Sequence, residues 1–551
     1  MSWIEEISTR LVNTNQFKAL SELEISKPMI NYLELYESES NFDPYKIIQS
    51  ILQLAGFRII ENNEIRKILI KSLSKTELMH LSESIEISNT ENMNSLIELI
   101  SSIRWKWNDL KCKKIAEILK ISDIFFEHDN AILPADSEIK DSIIKKNYDI
   151  KNFFELHSFQ YTVRDEVIER FAKYRDSKVL LQLPTGAGKT RTAIHTVIQY
   201  LKLFNVQGNI LWLSYSPLLL NQAEGTFKEI WPVLGDNDLY AYHNLMDYLP
   251  NYFSNEKSIL FSSIITLSNQ LPKDKLELSK LSKSFSFVIF DEAHQSIANL
   301  AIELIKKLNF NNPNIKILGL TATPGRGSGI PREIRTFVNF FDTKVKIKVP
   351  NYGLSIVDED LLATEDDDKT AIKYLQDVGV LAKLKHEIIS FDSNKKNKDL
   401  GLIPERNKLI IDKIMEYVFQ SKKIIVFACS VEHAKILGQI LKIKNINVGL
   451  ILADTPDYTR LEYIEKFRKS KELNVLINLE VLTTGFDAPE VDAILITRPI
   501  NSPIEFSQIL GRGLRGKRNG GHEENTIISI SNPAFSDEHQ VYKYFDIYWE
   551  K

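Results

Sequence analysis

The period of the apolar positions changes along the 551-residue chain. Over residues 1–150, segments such as YKIIQSILQLAG and EIRKILIKSLSKTELMHLSESI repeat apolar residues at three- and four-residue intervals. That is the period of amphipathic helices. Glycine is nearly absent there, Gly56 being the exception, and the turn pairs that close hairpins are missing. The pattern predicts an all-α N-terminal domain over 1–150. From about 151 onward, short continuous apolar runs alternate with helical stretches. SKVLLQL, NILWLSYS, SILFSSIITL, SFVIFDEAH and IKILGLTATP follow one another between 177 and 324. A second series, KKIIVFACS, NVGLILAD, LNVLINLE, VDAILITRP and NTIISISNP, begins near 422. Continuous apolar strands alternating with helices indicate parallel sheets covered on both faces. Two series predict two α/β domains, 151–345 and 346–551. Between them the acidic run VDEDLLATEDDDKT (357–370) reads as a solvated segment leading into a helix.

Composition adds little to this outline. Hydrophobic residues make up 43% and charged residues 26%, ordinary globular usage. Two cysteines, Cys112 and Cys429, are too few for a disulfide framework or a Cys-rich zinc site, which fits a reducing cytoplasm. The start MSWIEEISTR is acidic and lacks the apolar stretch of a secretory signal. No apolar run approaches the roughly 18 residues of a membrane span. The net charge of −4 neither marks nor excludes a nucleic-acid surface, because a local basic groove can coexist with acidic faces elsewhere.

Chemistry enters where the strands end. The first apolar strand of the first α/β series runs into LPTGAGKT (183–190). A glycine-rich turn between strand and helix, here Thr185, Gly186, Ala187 and Gly188, exposes backbone N–H groups toward phosphates, and the helix N-terminus adds its dipole. Lys189 would reach the β- and γ-phosphates of ATP, and the Thr190 hydroxyl would ligate Mg²⁺. Strand SFVIF ends in Asp291-Glu292-Ala293-His294. A carboxylate at the carboxyl end of a parallel strand points into the crevice where ligands bind. Asp291 could there hold Mg²⁺, and Glu292 could orient the attacking water. The alternative for this segment is a solvated acidic turn. A third strand ends in Thr321-Ala322-Thr323-Pro324, whose hydroxyls could bond across to the carboxylates or only end a strand. In the second series, VLTTGFDAPEVD (481–492) brings Gly485 and Asp487, and Gln508-Ile509-Leu510-Gly511-Arg512-Gly513-Leu514-Arg515 follows. Arginines at i and i+3 share one face of a helix, from which both guanidiniums could reach a γ-phosphate.

In this order the motifs resemble those of superfamily 2 helicases of the DEAH-box type, over roughly 150–551. LPTGAGKT looks like motif I, DEAH like motif II, TAT like motif III, VLTTGFDAP like motif V and QILGRGLR like motif VI. LWLSYSPLLLNQ (211–222) looks like motif Ia, FSSIITLSNQ (261–270) fits the next strand and loop, and IIVFACS (424–430) resembles motif IV. His157-Ser158-Phe159-Gln160 falls where many members carry an aromatic-Gln pair, which makes Gln160 the implied adenine reader. Leu183 and His157 depart from the family's usual glycine and basic residue. The resemblance implies two tandem RecA-like parallel-sheet domains preceded by the all-α domain, with ATP held in the cleft between them. It implies catalytic roles for Lys189, Asp291, Glu292, Gln508, Arg512 and Arg515, with Gly485 and Asp487 completing the nucleotide site.

The GFDAP and GRGLR forms look most like the type III restriction subunit and repair-helicase group. They imply an ATP-dependent motor on nucleic acid, DNA favoured over RNA, moving 3′ to 5′, in repair, restriction or antiviral defence. An RNA helicase and a duplex translocase that never separates strands are the alternatives. A non-enzymatic scaffold is disfavoured by the joint presence of Lys189, Asp291, Glu292, Arg512 and Arg515. Residues 1–150 could dock a protein partner, clamp nucleic acid or cover the motor. In Arg104-Trp105-Lys106-Trp107 the tryptophans read as helix-packing residues, with stacking on bases as the other reading.

Overall fold

In the computed structural model the described residues are 3–37, 43–55, 62–87, 92–103, 110–121, 142–146, 155–173, 177–215, 217–244, 257–293, 298–322, 340–348, 365–392, 397–470, 472–479, 490–498, 500, 506, 509–511 and 513–531. Polar side chains cap several of the N-terminal helices. Eight helices are described there: α1 (Trp3–Asn13), α2 (Phe17–Ser21), α3 (Lys27–Tyr36), α4 (Pro44–Ala55), α5 (Asn63–Lys71), α6 (Lys75–Ser84), α7 (Met93–Ser102) and α8 (Leu110–Leu119). Asn62 opens α5 by accepting from the Glu64 N–H at 2.8 Å. Ser74 opens α6 with a reciprocal box. The Glu77 N–H donates to the Ser74 hydroxyl, and the Ser74 N–H donates to the Glu77 carboxylate.

The α/β region continues with β1 (Ser142–Ile144), α9 (Ser158–Ala172), β2 (Lys178–Gln182), α10 (Lys189–Leu203), β3 (Asn209–Ser214), α11 (Pro217–Leu234), β4 (Leu239–Asn244), β5 (Ser258–Ser263), α12 (Ile264–Gln270), α13 (Lys275–Ser284), β6 (Phe285–Phe290), α14 (Ala298–Asn311), β7 (Lys316–Thr321) and β8 (Thr343–Lys346). It goes on through α15 (Glu365–Asp377), β9 (Lys383–Ser390), α16 (Asn397–Leu400), α17 (Pro404–Phe419), β10 (Ile424–Phe427), α18 (Val431–Ile443), β11 (Val448–Ile451), α19 (Asp457–Lys469), β12 (Val475–Asn478), β13 (Ala493–Ile496) and β14 (Glu524–Ser531). The first sheet has the order β1-β4-β5-β3-β6-β7-β2-β8 and the second β11-β12-β10-β13-β14-β9. The fold class read from the sequence, an all-α region followed by two α/β parallel sheets, is the one observed. Residues 142–144, assigned by period to the helical domain, instead form β1 and pair antiparallel with β4. A three-residue strand, Ser-Ile-Ile, is too short to show any period.

The chain packs as two compact units, Met1–Glu138 with Phe391–Glu480 and Leu495–Pro499, and Ile139–Ser390 with Val481–Ile494 and Ile500–Lys551. In the first unit, β10 and β11 flank β12 in parallel, Phe427 and Ile451 both standing level with Asn478. Helix α3 packs on α17 and α18, and α4 packs on α18. Polar contacts edge that seam: Lys444 pairs with Glu37, Lys442 donates to Gln53 at 3.2 Å, and Lys46 donates to Asn445 at 3.0 Å. The N-terminal helices thus share a core with helices of the second sheet, a contact that no local period encodes.

In the second unit the central strands of the first sheet are buried on both faces. Ile210 and Trp212 on β3, Phe261 on β5 and Phe287 on β6 point one way, toward the aromatic residues of α9, α10 and α11. Trp212 meets Phe227 edge-on with centroids 5.8 Å apart, and Phe287 meets Phe171 at 5.5 Å. The opposite face, Leu211, Leu213, Val288, Phe290 and Ile317, packs against Ala301, Leu304, Ile305 and Leu308 of α14. Strands β9 and β14 pair in parallel along their whole lengths, Lys383 level with Glu524 and Ser390 with Ser531.

Candidate nucleotide site

Three strand ends meet in the first sheet. The order β6-β7-β2 sets the end of β7 between the Asp291 motif and the glycine turn. Main-chain bonds stitch the three together. The Leu183 N–H donates to the Thr321 carbonyl at 3.1 Å, and the Ala293 N–H donates to the Leu320 carbonyl at 2.8 Å. On the far side the Asp291 N–H donates to the Leu213 carbonyl at 2.9 Å. The adjacent carbonyls of Leu320 and Thr321 therefore join the two motifs, one bonded to each.

The turn itself needs its glycines. Gly186 and Gly188 have φ of +83° and +82°, the left-handed region. Gly188 caps α10, so Lys189 and Thr190 occupy the first helical turn, where backbone N–H groups and the helix dipole favour an anion. A Cβ on Gly188 would lie 2.5 Å from Gln160 Nε2. Gln160 is buried, and its amide is spent on the turn: Nε2 lies 3.2 Å from the Ala187 carbonyl, 3.4 Å from the Gly188 carbonyl and 3.0 Å from Thr192 Oγ1. Its Oε1 accepts from the His157 N–H at 2.8 Å, which fixes which end of the amide is oxygen. In this structure Gln160 holds the turn rather than facing outward.

Asp291 is 4% exposed. Burial, and then the neighbouring Glu292 charge, push its carboxyl up to about 7, against the opposing pull of Lys189 and of the Glu292 N–H. That N–H donates to Asp291 Oδ1 at 2.9 Å. Glu292 itself sits at φ +50°, a left-handed conformation rare for a non-glycine residue and recurrent at functional sites. A buried carboxylate beside a lysine and a hydroxyl at a helix start is a donor set that fits Mg²⁺ with phosphate, because Mg²⁺ takes few protein ligands and keeps phosphate and water as the rest. Among the described residues no group of three or more His, Cys, Asp or Glu that could hold a metal occurs.

The Arg515 segment belongs to the same compact unit. The i, i+3 spacing predicts one helical face for Arg512 and Arg515, but Arg515 is not helical. Gly511 and Gly513 weaken a helix there, and Arg515 stands in an antiparallel bridge with Leu381. Leu381 and Leu514 pack against Gly186 of the glycine turn, 3.1 and 3.5 Å from where a Cβ would be. His294, Thr323, Pro324, Gly485, Asp487, Gln508 and Arg512 lie outside the described residues, as do Arg104, Trp105, Lys106 and Trp107.

The remaining motif-like segments also stand at strand ends. Ser263 caps α12 after β5, and Ser430 caps α18 after β10. Sequence reasoning missed the polar core below Ser430. Buried Arg406 bonds to Cys429 Sγ and to the Thr497 carbonyl, while His433 takes the Cys429 N–H at 3.1 Å and bonds Asn407 Oδ1 at 3.1 Å. Burial, aided by Arg406, holds His433 far below its ordinary pKa and keeps it neutral. Reasoning from the sequence also missed Thr192, Leu381, Leu514 and Asn519. Of these only Thr192 left a local signal, a hydroxyl four residues after Gly188 that can bond back to its carbonyl.

A family model described as "Type III restriction enzyme, res subunit" matches residues 153–326, and one described as "Helicase conserved C-terminal domain" matches residues 407–517. The putative ATP-dependent helicase IRC3 of Saccharomyces cerevisiae is 26% identical over 354 residues, covering 61% of this chain and 46% of the relative. The chain thus spans less than half of that protein's length. Among solved structures, the DUF1998 helicase MrfA bound to DNA superposes with a TM-score of 0.52 at 16% identity, over 73% of this chain and 50% of that one. Mss116p bound to single-stranded RNA and AMP-PNP superposes with a TM-score of 0.51 at 15% identity, over 72% and 73% of the two chains. At such identities these likenesses concern the fold. Among the described residues no helix is long and apolar enough to cross a membrane.

Proposed function

Because this chain belongs to the superfamily 2 helicases, in the group related to the type III restriction subunit, we propose that it is a nucleic-acid-dependent ATPase that couples hydrolysis to movement along a strand. The observation that carries this reading is the meeting of Lys189 and Asp291 beneath a glycine turn whose backbone is tied to the Asp291 motif through Leu320 and Thr321. Lys189 would hold the nucleotide phosphates, and Thr190 with Asp291 would hold Mg²⁺. Bound Mg²⁺ supplies charge neutralisation on the phosphate oxygens. Glu292 would orient the attacking water, and Arg512 and Arg515 would stabilise charge on the transferred phosphoryl. Gln508, Gly485 and Asp487 are assigned to the same site by their motifs alone.

DNA is the polymer we favour, on the GFDAP and GRGLR motif forms and the match to the restriction subunit model. Movement 3′ to 5′ and service in restriction, repair or antiviral defence belong to the same proposal, as does a partner for the N-terminal helices. Grip on phosphates would be largely sequence-independent and would weaken with salt. The deciding experiment measures ATP hydrolysis without polymer and with single-stranded DNA, duplex DNA and RNA, alongside Lys189→Ala. Stimulation by DNA that disappears in the variant supports the proposal. Equal hydrolysis with and without polymer, or hydrolysis that survives Lys189→Ala, rejects it.

A further inference from the structure

Residue 519 touches the nucleotide site from a distant part of the chain. His157 is the cap of α9, and its carbonyl accepts from the Gln160 and Tyr161 N–H groups at 2.9 and 3.1 Å. Its own N–H donates to Gln160 Oε1, and its ring stacks on Phe159 with an interplanar angle of 11°. The ring Nε2 lies 2.9 Å from Asn519 Oδ1, across 362 positions of sequence. The Asn519 Nδ2 donates to the Val380 carbonyl at 3.1 Å, which leaves Oδ1 as the acceptor and puts the imidazole proton on Nε2. Asn519 is held in turn by a strap. The Ala382 N–H donates to Leu514, the Gly516 N–H to Val380 and the Arg518 N–H to Gly379, at 2.7, 3.0 and 3.0 Å. Residues 514–519 and 379–382 are thereby zipped together, with Arg515 among them.

The bland reading is a polar contact between two surface turns. Two observations weigh against it. Both ends of the Asn519 amide are used, one toward His157 and one toward the strap. The same strap also touches Gly186 through Leu381 and Leu514, so it meets the glycine turn and its Gln160 brace at two separate places.

We infer that Asn519 is a positioning residue, which through His157 and Gln160 registers the strap carrying Arg515 against the glycine turn. The chain of contacts runs from Asn519 to the His157 ring, from the His157 N–H to Gln160, and from Gln160 to the carbonyls of Ala187 and Gly188. Breaking the His157–Asn519 bond leaves each element folded but lets the Arg515 strap drift relative to the turn. A displacement of that kind lowers turnover more than nucleotide binding.

This inference rests on the proposed ATPase function, so the test reads the contact in two ways. Wild type, His157→Ala, Asn519→Ala and the double variant are compared, with His157→Gln as the conservative replacement that keeps a donor. The first readout is thermal unfolding without nucleotide, where the two single shifts should exceed the double shift when summed. The second is polymer-stimulated turnover beside the affinity for a fluorescent ATP analogue. Each single variant should lose about tenfold in kcat with affinity changed by less than about threefold, the size expected for one lost hydrogen bond that acts through geometry. The double variant should be no worse than either single, and His157→Gln should recover most of the loss. Additive melting shifts, additive kcat losses or an unaffected Asn519→Ala would each overturn the inference. A wild type that is silent with every polymer would sink the proposed function instead, and the melting cycle would still decide the contact.

Discussion

Replacing Gly188 with alanine challenges the geometry of the glycine turn at its tightest point. The native φ of +82° costs an L-residue about 1–2 kcal/mol. The new Cβ would also stand 2.5 Å from Gln160 Nε2, so the buried amide must move. That movement breaks its bonds to Ala187, Gly188 and Thr192, two of which are within 3.2 Å, at about 1 kcal/mol each. The expected loss is therefore about 3–4 kcal/mol, or a melting point lower by roughly 10 °C for a domain of ordinary size. The assay is thermal unfolding without nucleotide, with Gly225→Ala as control. Gly225 lies inside α11 with nothing within 4 Å of where an added methyl would stand, so alanine there should stabilise by up to about 1 kcal/mol. The decisive comparison repeats Gly188→Ala in a Gln160→Ala background. With no amide to displace, only the backbone cost of about 1–2 kcal/mol should remain. Equal losses in both backgrounds, or no loss in either, would refute the claim that Gln160 braces the turn.

Other consequences can be checked on the same protein. Burial alone would raise the Glu224 carboxyl, but hydrogen bonds and charge from His243 and Lys228 outweigh it and hold it down at about 2. A depressed carboxylate contributes stability above its ordinary value of 4.5 and loses it as the pH falls toward 2. Glu224→Gln should therefore be less stable than wild type at pH 7, and the gap should narrow below pH 4.5 in urea titrations; a pH-independent gap argues against the contacts with His243 and Lys228. Lys444→Glu, facing Glu37 in the seam between α3 and α18, should destabilise by about 2 kcal/mol, and adding Glu37→Lys should recover most of it. A swap no better than the single change would mean that apolar packing alone holds the N-terminal helices. Ser74→Ala should cost about 1 kcal/mol through loss of the α6 cap, whereas an unchanged melting point would show that tertiary packing sets that helix start.

Much of the architecture was legible because it is written in short-range signals. Apolar residues at three- and four-residue intervals marked α4, α5 and α6, and continuous runs marked β2, β3, β5, β6, β7 and the strands from β10 to β14. Each depends only on how a residue and its near neighbours meet a buried surface. Strand β9 escaped for the same reason: KLKHEIIS alternates exposed with half-buried positions and carries charges, so it lacks a buried strand's run. The glycine turn was legible as well, since positive φ at Gly186 and Gly188 is a property of the backbone at those positions.

What tertiary structure alone decided is which of these pieces touch. A carboxylate at the end of SFVIF was readable, but only the order β6-β7-β2 sets Asp291 near Lys189 with Thr321 between. The helical spacing of Arg512 and Arg515 was readable too, yet the bridge to Leu381 takes Arg515 out of the helix. Gln160 was marked as a nucleotide contact, while its bond partners on the turn and the Asn519 contact to its neighbour His157 came from packing. Local sequence sets the conformations open to a residue within a turn or two. Contacts across hundreds of positions are chosen by the burial and hydrogen bonding of the whole chain, and no period or motif carries them.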